Sequence, residues 1–313
     1  MTEPMEPLHP MLPKEITVLQ RGWLSSNNIL IVGRDSTALI DSGYVTHAPQ
    51  TLALVESALG GRALDVLVNT HLHSDHCGGN AALQGRYPNL KTLIPPGLAE
   101  HVRAWDPHAL TYAPTGQNCP QFDFNEVLLP GSEIRLGDVH WQAHAAPGHD
   151  THSLILFEPA SRVLVSADAL WERGFGVVFP ELEGLAAFDA VGATIDLIEA
   201  LNPALVIPGH GPIFSDAEAA IAFARERLRG FVAKPDKHIK HAVKVLLKFK
   251  LLELQSIAVA DFLAWAQSTP YFLAIYQQHF SRLDFAQWVD ELIADLVRAG
   301  AAAREGQLLR NVG

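Results

Sequence analysis

Thr70-His71-Leu72-His73-Ser74-Asp75-His76-Cys77-Gly78-Gly79 follows directly on the apolar run Leu64 to Asn69. A short apolar run that ends at turn residues predicts a buried strand, and this one delivers its histidines into a loop. In extended backbone His71 and His73, two residues apart, project to one side. Asp75 and His76 fall in the tighter turn that opens the next element and so face elsewhere. One loop therefore addresses two points in space. With 15 histidines in 313 residues, chance supplies a His-x-His-x-Asp-His string only about 0.002 times per chain, so the cluster calls for a common cause.

Working outward, three single residues stand in loops after apolar runs: His149 in Ala146-Pro147-Gly148-His149, Asp168 in Ser166-Ala167-Asp168, and His210 in Ile207-Pro208-Gly209-His210-Gly211. Imidazole and carboxylate donors suit zinc, iron or manganese. A closed tetrahedral site uses four of them, and seven are too many for one ion. Two ions about 3.5–4 Å apart, each with three donors of its own and one carboxylate shared, account for the whole set and leave room for a bridging water. Asp168 is the natural bridge.

The flanking sequence is β-rich at first. Ile16 to Leu24, Asn28 to Gly33 and Ser36 to Ile40 read as strands, and Asp41-Ser42-Gly43 closes the third with turn chemistry. Gln50 to Leu59 has helical spacing. Further strands are expected at Lys91 to Ile94, Glu133 to Leu136, Val139 to Ala143, Ser153 to Phe157, Val163 to Ser166 and Ala204 to Ile207, with a helix at Ala187 to Leu201. From Asp216 the texture becomes helical, in the runs Asp216 to Arg229, Asp236 to Leu254, Ser256 to Gln267, Pro270 to Phe280 and Asp284 to Ala299. A small hairpin then joins Ala301 to Arg304 with Gln307 to Arg310. A boundary is expected near Ser215, giving units of 1–215 and 216–313.

Composition narrows the classes. An apolar content of 48% with 18% charged residues is the balance of a chain with a sizeable core. The net charge of -11 disfavours a molecule that binds nucleic acid or membrane surfaces as a whole. Cys77 and Cys119, 42 residues apart, form neither a disulfide framework nor a metal knuckle. Met1 to Glu15 has no basic segment followed by an apolar one, and no run approaches the length of a membrane span, so a cytoplasmic protein without membrane partners is expected.

The order of these residues resembles the metallo-β-lactamase superfamily, whose pattern is a strand, then His-x-His-x-Asp-His, then separated His, Asp and His. The match covers roughly Ile16 to Ser215. The resemblance implies an α/β protein: an αββα sandwich with metals at one edge, followed by a smaller, mainly helical appendage that is winged-helix-like. It implies a first metal site of His71, His73 and His149, a second of Asp75, His76 and His210, and Asp168 between them. Two divalent ions follow, zinc foremost, with iron or manganese as alternatives. Asp41 resembles the family's Asp-x-Gly turn and is placed to take a ligand histidine's free N–H, and His152 stands where some members carry a second histidine.

The function implied is hydrolysis of an ester, thioester or lactone carbonyl in a small molecule by a metal-bridging hydroxide, with Asp75 orienting the water or accepting its proton. Through Thr70 to Gly79 the chain resembles the hydroxyacylglutathione-hydrolase-like branch, although Ala167-Asp168 departs from its usual Gly-Asp. Two other classes remain. Arg225 to Lys250 carries nine basic and two acidic residues, and Lys237, His241, Lys244 and Lys248 fall on one helical stripe. A strand of RNA could follow such a stripe, which makes a single-strand RNA endonuclease the first alternative. A non-catalytic regulator that senses a ligand is the second, and mononuclear iron would redirect the reading to sulfur dioxygenase chemistry. Trp171, Phe175, Phe179, Trp265, Tyr271 and Phe272 are the aromatic candidates for the pocket lining.

Overall fold

A computed structural model describes residues 12–313. Residues 1–11, and with them most of the leader read above, lie outside the described residues. The first sheet sets β1 (Ile16–Leu19), β2 (Asn28–Val32), β3 (Thr37–Ile40), β4 (Val66–Val68), β5 (Lys91–Ile94) and β6 (Glu126–Val127) side by side in chain order. The second does the same with β7 (Glu133–Leu136), β8 (Val139–Ala145), β9 (Leu154–Glu158), β10 (Val163–Ala167) and β11 (Leu205–Pro208).

Side chains two apart share a sheet face, and burial follows that period. Ile29 and Ile31 of β2, Leu154 and Leu156 of β9, and Val163 and Val165 of β10 meet Trp141 between the sheets. The intervening Leu30 turns outward to the helices Ala48–Leu59 and Asn80–Arg86. Ile155, Leu164 and Val206 turn outward to the helices Phe188–Leu201 and Ala217–Ala233. Four layers result, the αββα sandwich expected from the sequence.

Strand direction decides where the loops gather. In the second sheet β8 and β10 both run antiparallel to β9, and β11 runs parallel to β10. The C-terminal ends of β8, β10 and β11 therefore share one edge. The amide of Leu154, which opens β9 at that edge, donates to the carbonyl of Thr70 at 2.8 Å. This bond brings the C-terminal end of β4, and of its parallel neighbour β3, to the same place.

The C-terminal region begins its own core in the helix Pro235–Leu254 and continues through β12 (Ser256–Ala258), the helices Val259–Ser268 and Pro270–Ile275, a π-helical turn at Tyr276–Phe280, the helix Phe285–Arg298, and the hairpin of β13 (Ala302–Glu305) and β14 (Leu308–Asn311). The order β12-β14-β13, with helices before and between the strands, is the winged-helix-like arrangement. One expectation fails here. The helical reading of Ser256 to Gln267 starts three residues early: Gln255 takes φ of +62° and ends the preceding helix, and Ser256–Ala258 pairs with β14, Ile257 opposite Leu309. Cross-strand pairing overrides the local periodicity. The first strand likewise stops at Leu19 rather than Leu24.

The helical region is fastened to the sandwich. Val177 and Leu182 belong to the same apolar cluster as Val243, Phe262 and Trp288. At this seam the amide of Val178 donates to Nε2 of the buried His238, 3.1 Å away, and the rings of Phe188 and Phe231 close over it. Burial lowers this imidazole to about 4. The unfolded chain, near 6.5, then binds more protons than the folded one between those values, so stability is full above about 6.5 and is lost as pH falls toward 4. His238→Gln keeps an acceptor for Val178 without titrating. Thermal melts across that range should fall more steeply for the parent protein than for the variant; parallel curves would show that the seam does not titrate.

Candidate metal centre

The chain leaves β4 through a bend at Thr70 and His71, reaches His73 in extended backbone, and then makes one helical turn, Ser74–Cys77, with His73 at its N-cap. Asp168 directly follows β10, where the ladder with β11 is irregular and Ala167 takes φ of +46°. That left-handed residue turns the carboxylate off the sheet edge. His149 and His210 come from the loops after β8 and β11. Candidate ligand atoms lie within 4.8 Å of one another in three overlapping groups: His71, His73 and His149; His71, His76 and Asp168; Asp75, His76 and His210. All seven residues singled out in the sequence meet here.

The outer partners of the imidazoles fix which nitrogen faces inward. Asp41, itself held at φ of +57°, accepts from the Nδ1–H of His76 at 2.7 Å and also from the amide and hydroxyl of Thr70 at 2.8 and 2.7 Å. Because a carboxylate only accepts, His76 keeps its Nδ1 proton and turns the Nε2 lone pair toward the cluster. The carbonyl of Val177 does the same for His149, accepting from Nδ1 at 2.6 Å. Burial lowers His149 to about 4, so it is neutral, and its Nε2 faces inward 2.8 Å from His73 Nδ1, two nitrogens close enough to take one cation between them.

These groups fit metal ions. The Nε2 atoms of His71 and His76 are buried without a hydrogen-bond partner, a costly state that a cation relieves. Asp168 spans the cluster: Oδ1 lies 3.5 Å from His76 Nε2 and 3.8 Å from His210 Nε2, and Oδ2 lies 3.3 Å from His149 Nε2. Burial alone would raise its carboxyl, but the imidazoles of His210, His76 and His149 that face it hold it well below the usual carboxylate range. Asp75 is balanced in the same way: burial raises it, and the hydrogen bond from His210, at 3.2 Å, with the nearby imidazoles of His76 and His210 brings it below its ordinary value. Both carboxylates are ionised.

Gly209 packs against this arrangement with no room to spare. A Cβ there would lie 2.3 Å from Asp168 Oδ1 and 3.0 Å from His76 Cε1. Gly209→Ala must displace the carboxylate or the loop that carries His210. We expect loss of bound metal and a fall in activity of about a hundredfold or more, the usual consequence of an ångström-scale misplacement; unchanged metal content and turnover would contradict this placement.

His152 stands beside the cluster rather than in it, against Gly97, where it lines the adjoining cavity. That cavity, about 660 Å³, opens over the metal edge and is closed by the helical region, which contributes Phe249, Leu252 and Tyr271. Of the six aromatic candidates, Trp171, Phe179 and Tyr271 line it, whereas Phe175, Trp265 and Phe272 pack in the cores. The Trp171 indole donates to Asp168 Oδ1 at 3.2 Å. Sequence reading missed Trp23, an exposed ring that stacks on His210 with centroids 5.6 Å apart. It also missed Asn27, whose side chain donates to the carbonyls of Pro208 and Gly211 and clamps the His210 loop. The pattern Ser25-Ser26-Asn27-Asn28 offered only a turn signal. Cys77 and Cys119, distant in sequence, bring their sulfurs to 3.8 Å.

The basic stripe is largely consumed inside the protein. Lys240 and Lys244 face Asp295 at 3.0 and 3.9 Å. Lys248 donates to the carbonyls of Ala301 and Val312 and to Asn311. His241 accepts from Arg227 at 2.8 Å. Lys237, the remaining member of the stripe, is exposed and makes no ion pair among the described residues, so a phosphate backbone would meet one unpaired lysine of the four-residue stripe. No helix among the described residues is long and apolar enough to cross a membrane.

Sheet order, edge and ligand cage together define an αββα sandwich with a histidine–aspartate cluster at the C-terminal ends of its strands. The Metallo-beta-lactamase superfamily pattern matches residues 21–210, and the chain belongs to that superfamily. It is 32% identical over 197 residues to a hydroxyacylglutathione hydrolase of Xanthomonas euvesicatoria, covering 61% of this chain and 63% of that protein. A hydroxyacylglutathione hydrolase of Rhodopseudomonas palustris is 29% identical over 44% of this chain and 51% of its own length. The chain thus spans between about half and just under two thirds of these two relatives. An acyl-coenzyme A thioesterase of Bos taurus is 26% identical over 64% of this chain and 80% of its own. Among solved structures, a metallo-beta-lactamase family protein of Thermus thermophilus superposes with a TM-score of 0.58 at 17% identity, over 96% of this chain and all of that one. This last likeness concerns the fold.

Proposed function

We propose that the protein is a metal-dependent hydrolase of carbonyl esters, with thioesters foremost and lactones in the same class. The observation that carries this reading is the position of Asp168, whose two oxygens face His149 on one side and His76 and His210 on the other. In this reading His71, His73 and His149 hold one divalent ion, Asp75, His76 and His210 hold a second, and Asp168 serves both. Zinc is the ion proposed, with iron and manganese compatible with the same donors. Bound there, such ions supply Lewis acidity and a water acidic enough to act as nucleophile near neutral pH.

The rest is done by the chain. The two carboxylates of the cage offset part of the cationic charge and leave an electrophilic excess beside the cavity. Asp75, ionised and facing the cavity, orients the attacking water and takes up its proton. Phe179, in edge contact with His73 and His149, shields the histidines from solvent. Asp41 and the Val177 carbonyl hold two imidazoles in the tautomer that ligates. We propose residues 1–215 as the catalytic unit and 216–313 as a unit that caps the cavity, with the helix Ala217–Ala233 as the shared seam. The named relatives act on thioesters or carry names of that class, which supports this substrate class over the others. A cytoplasmic setting is part of the proposal and accords with two free thiols held in contact.

The test is a single panel of thioester, ester, lactone and single-stranded RNA substrates, run with metal, after chelation, and after metal is restored. The reading expects thioester turnover that chelation removes and metal returns. Preferential RNA cleavage, or turnover indifferent to chelation, would overturn it.

A further inference from the structure

Arg227 is a guanidinium without a counter-ion. It belongs to the helix Ala217–Ala233, which otherwise pairs its arginines: Arg225 with Asp196 and Glu199, and Arg229 with Glu226. Arg227 has no carboxylate within ion-pair distance among the described residues. Its one hydrogen bond goes to His241 Nε2 at 2.8 Å. Burial and the Arg227 charge lower His241 to about 3, so the imidazole stays neutral and compensates nothing. The guanidinium carbon lies 5.5 and 5.3 Å from the ring centroids of Phe175 and Phe231, and its Nε is buried without a partner. Removing a charge from water in this way is costly unless an opposite charge arrives.

Its position says where that charge arrives. Arg227 lines the same cavity as Asp75, Asp168 and His210. It lies under the short turn Trp171 to Gly174, whose ends are tied by a 2.7 Å bond from the Trp171 amide to the Gly174 carbonyl. A Cβ on Gly174 would meet Arg227 Cδ at 2.8 Å and one terminal nitrogen at 3.0 Å. At the other end of that turn Trp171 touches Asp168 and His210. Of the other basic groups on the cavity wall, Lys244 shares Asp295 with Lys240 and Arg298, Lys248 has its three acceptors, and Arg173, in the turn above Arg227, is solvent-exposed and so carries no burial cost that an anion would relieve. Apolar Val245, Leu246 and Phe249 lie along the same wall.

We infer that Arg227 anchors an anionic group, a carboxylate or a phosphate, that the substrate carries away from its scissile carbonyl. The inference rests on the hydrolase reading and adds a substrate class to it: amphipathic acyl thioesters or esters with one end charged. A planar guanidinium takes such a group through paired hydrogen bonds, and the contacts of Arg227 with the Phe175 and Phe231 rings and with His241 hold it in place.

The test uses uncleavable thioethers that share one apolar body and end in a carboxylate, a phosphate or an uncharged amide, titrated by calorimetry into the metal-loaded protein. Charged hydrogen bonds in a partly dry pocket are expected to favour a charged analogue over the amide by about tenfold to a hundredfold. The end group that gains more identifies the source of the anion. Arg227→Gln should bring that ratio close to one, and Arg227→Lys should keep a part of it. Amide binding serves as the internal reference for an intact cavity. No preference for charge in the parent protein, or an equal loss of all three ligands in Arg227→Gln, would overturn the inference. Turnover of the matching thioesters is scored separately, so a charge preference without hydrolysis would count against the hydrolase reading and leave the anchor standing.

Discussion

Asp168→Ala is expected to lower kcat/KM by about a thousandfold or more, because the lost carboxylate serves both halves of the cage and metal-assisted catalysis supplies several kcal/mol. No other carboxylate among the described residues stands between the two clusters: Asp75 pairs with His210, and Asp41 lies behind His76. Asp168→Asn keeps the volume and the acceptor for the Trp171 indole while removing the charge. It should lose metal nearly as completely as the alanine variant. If metal rather than packing offsets the cost of burying this carboxylate, the metal-free variants should melt close to the metal-free parent. A variant that keeps two equivalents of metal and full turnover would remove Asp168 from the site.

The second large effect belongs to Asp41, which touches no ligand-facing atom. Asp41→Ala strips acceptors from His76 and Thr70 in a fully buried place, and leaving such buried donors unpaired costs about 1–3 kcal/mol each. Asp41→Asn is the sharper experiment. The carboxamide can still accept from the Thr70 amide, but its NH2 would face the Nδ1–H of His76. The imidazole relieves that conflict by moving its proton to Nε2, the nitrogen that must stay bare to bind a cation. Metal affinity at the Asp75–His76–His210 group should fall about 10- to 100-fold, with a smaller loss of stability than in Asp41→Ala. Equal metal affinity in Asp41→Asn and the parent, measured by competition with a chelator, would refute the orientation argument.

What the sequence made legible follows from how local each signal is. The sandwich strands could be read because an alternating or continuous apolar run between turn residues depends on few neighbours, as at Leu154–Glu158 and Val163–Ala167. The cage could be read because four of its residues share one loop and the other three each follow a strand. Signals that depend on distant partners were hidden. Ser256–Ala258 keeps a helical pattern but pairs with a strand some 50 residues on. The stripe Lys237, His241, Lys244 and Lys248 has the spacing of a solvated face, yet its acceptors Asp295, Ala301 and Asn311 come from the end of the chain. Trp23, an isolated residue without a motif, meets His210 only through the fold. Arg227 reads as one more charge in a basic segment, because the absence of a counter-ion is a property of space and not of spacing.

Metal content with position is the most direct measurement: elemental analysis of the purified, metal-replete protein joined to anomalous scattering from its crystals. The account predicts two ions per chain, one held by His71, His73 and His149, the other by Asp75, His76 and His210, with Asp168 in reach of both. A single ion, or none, with Asp75 and His210 left as a plain hydrogen-bonded pair, would contradict it.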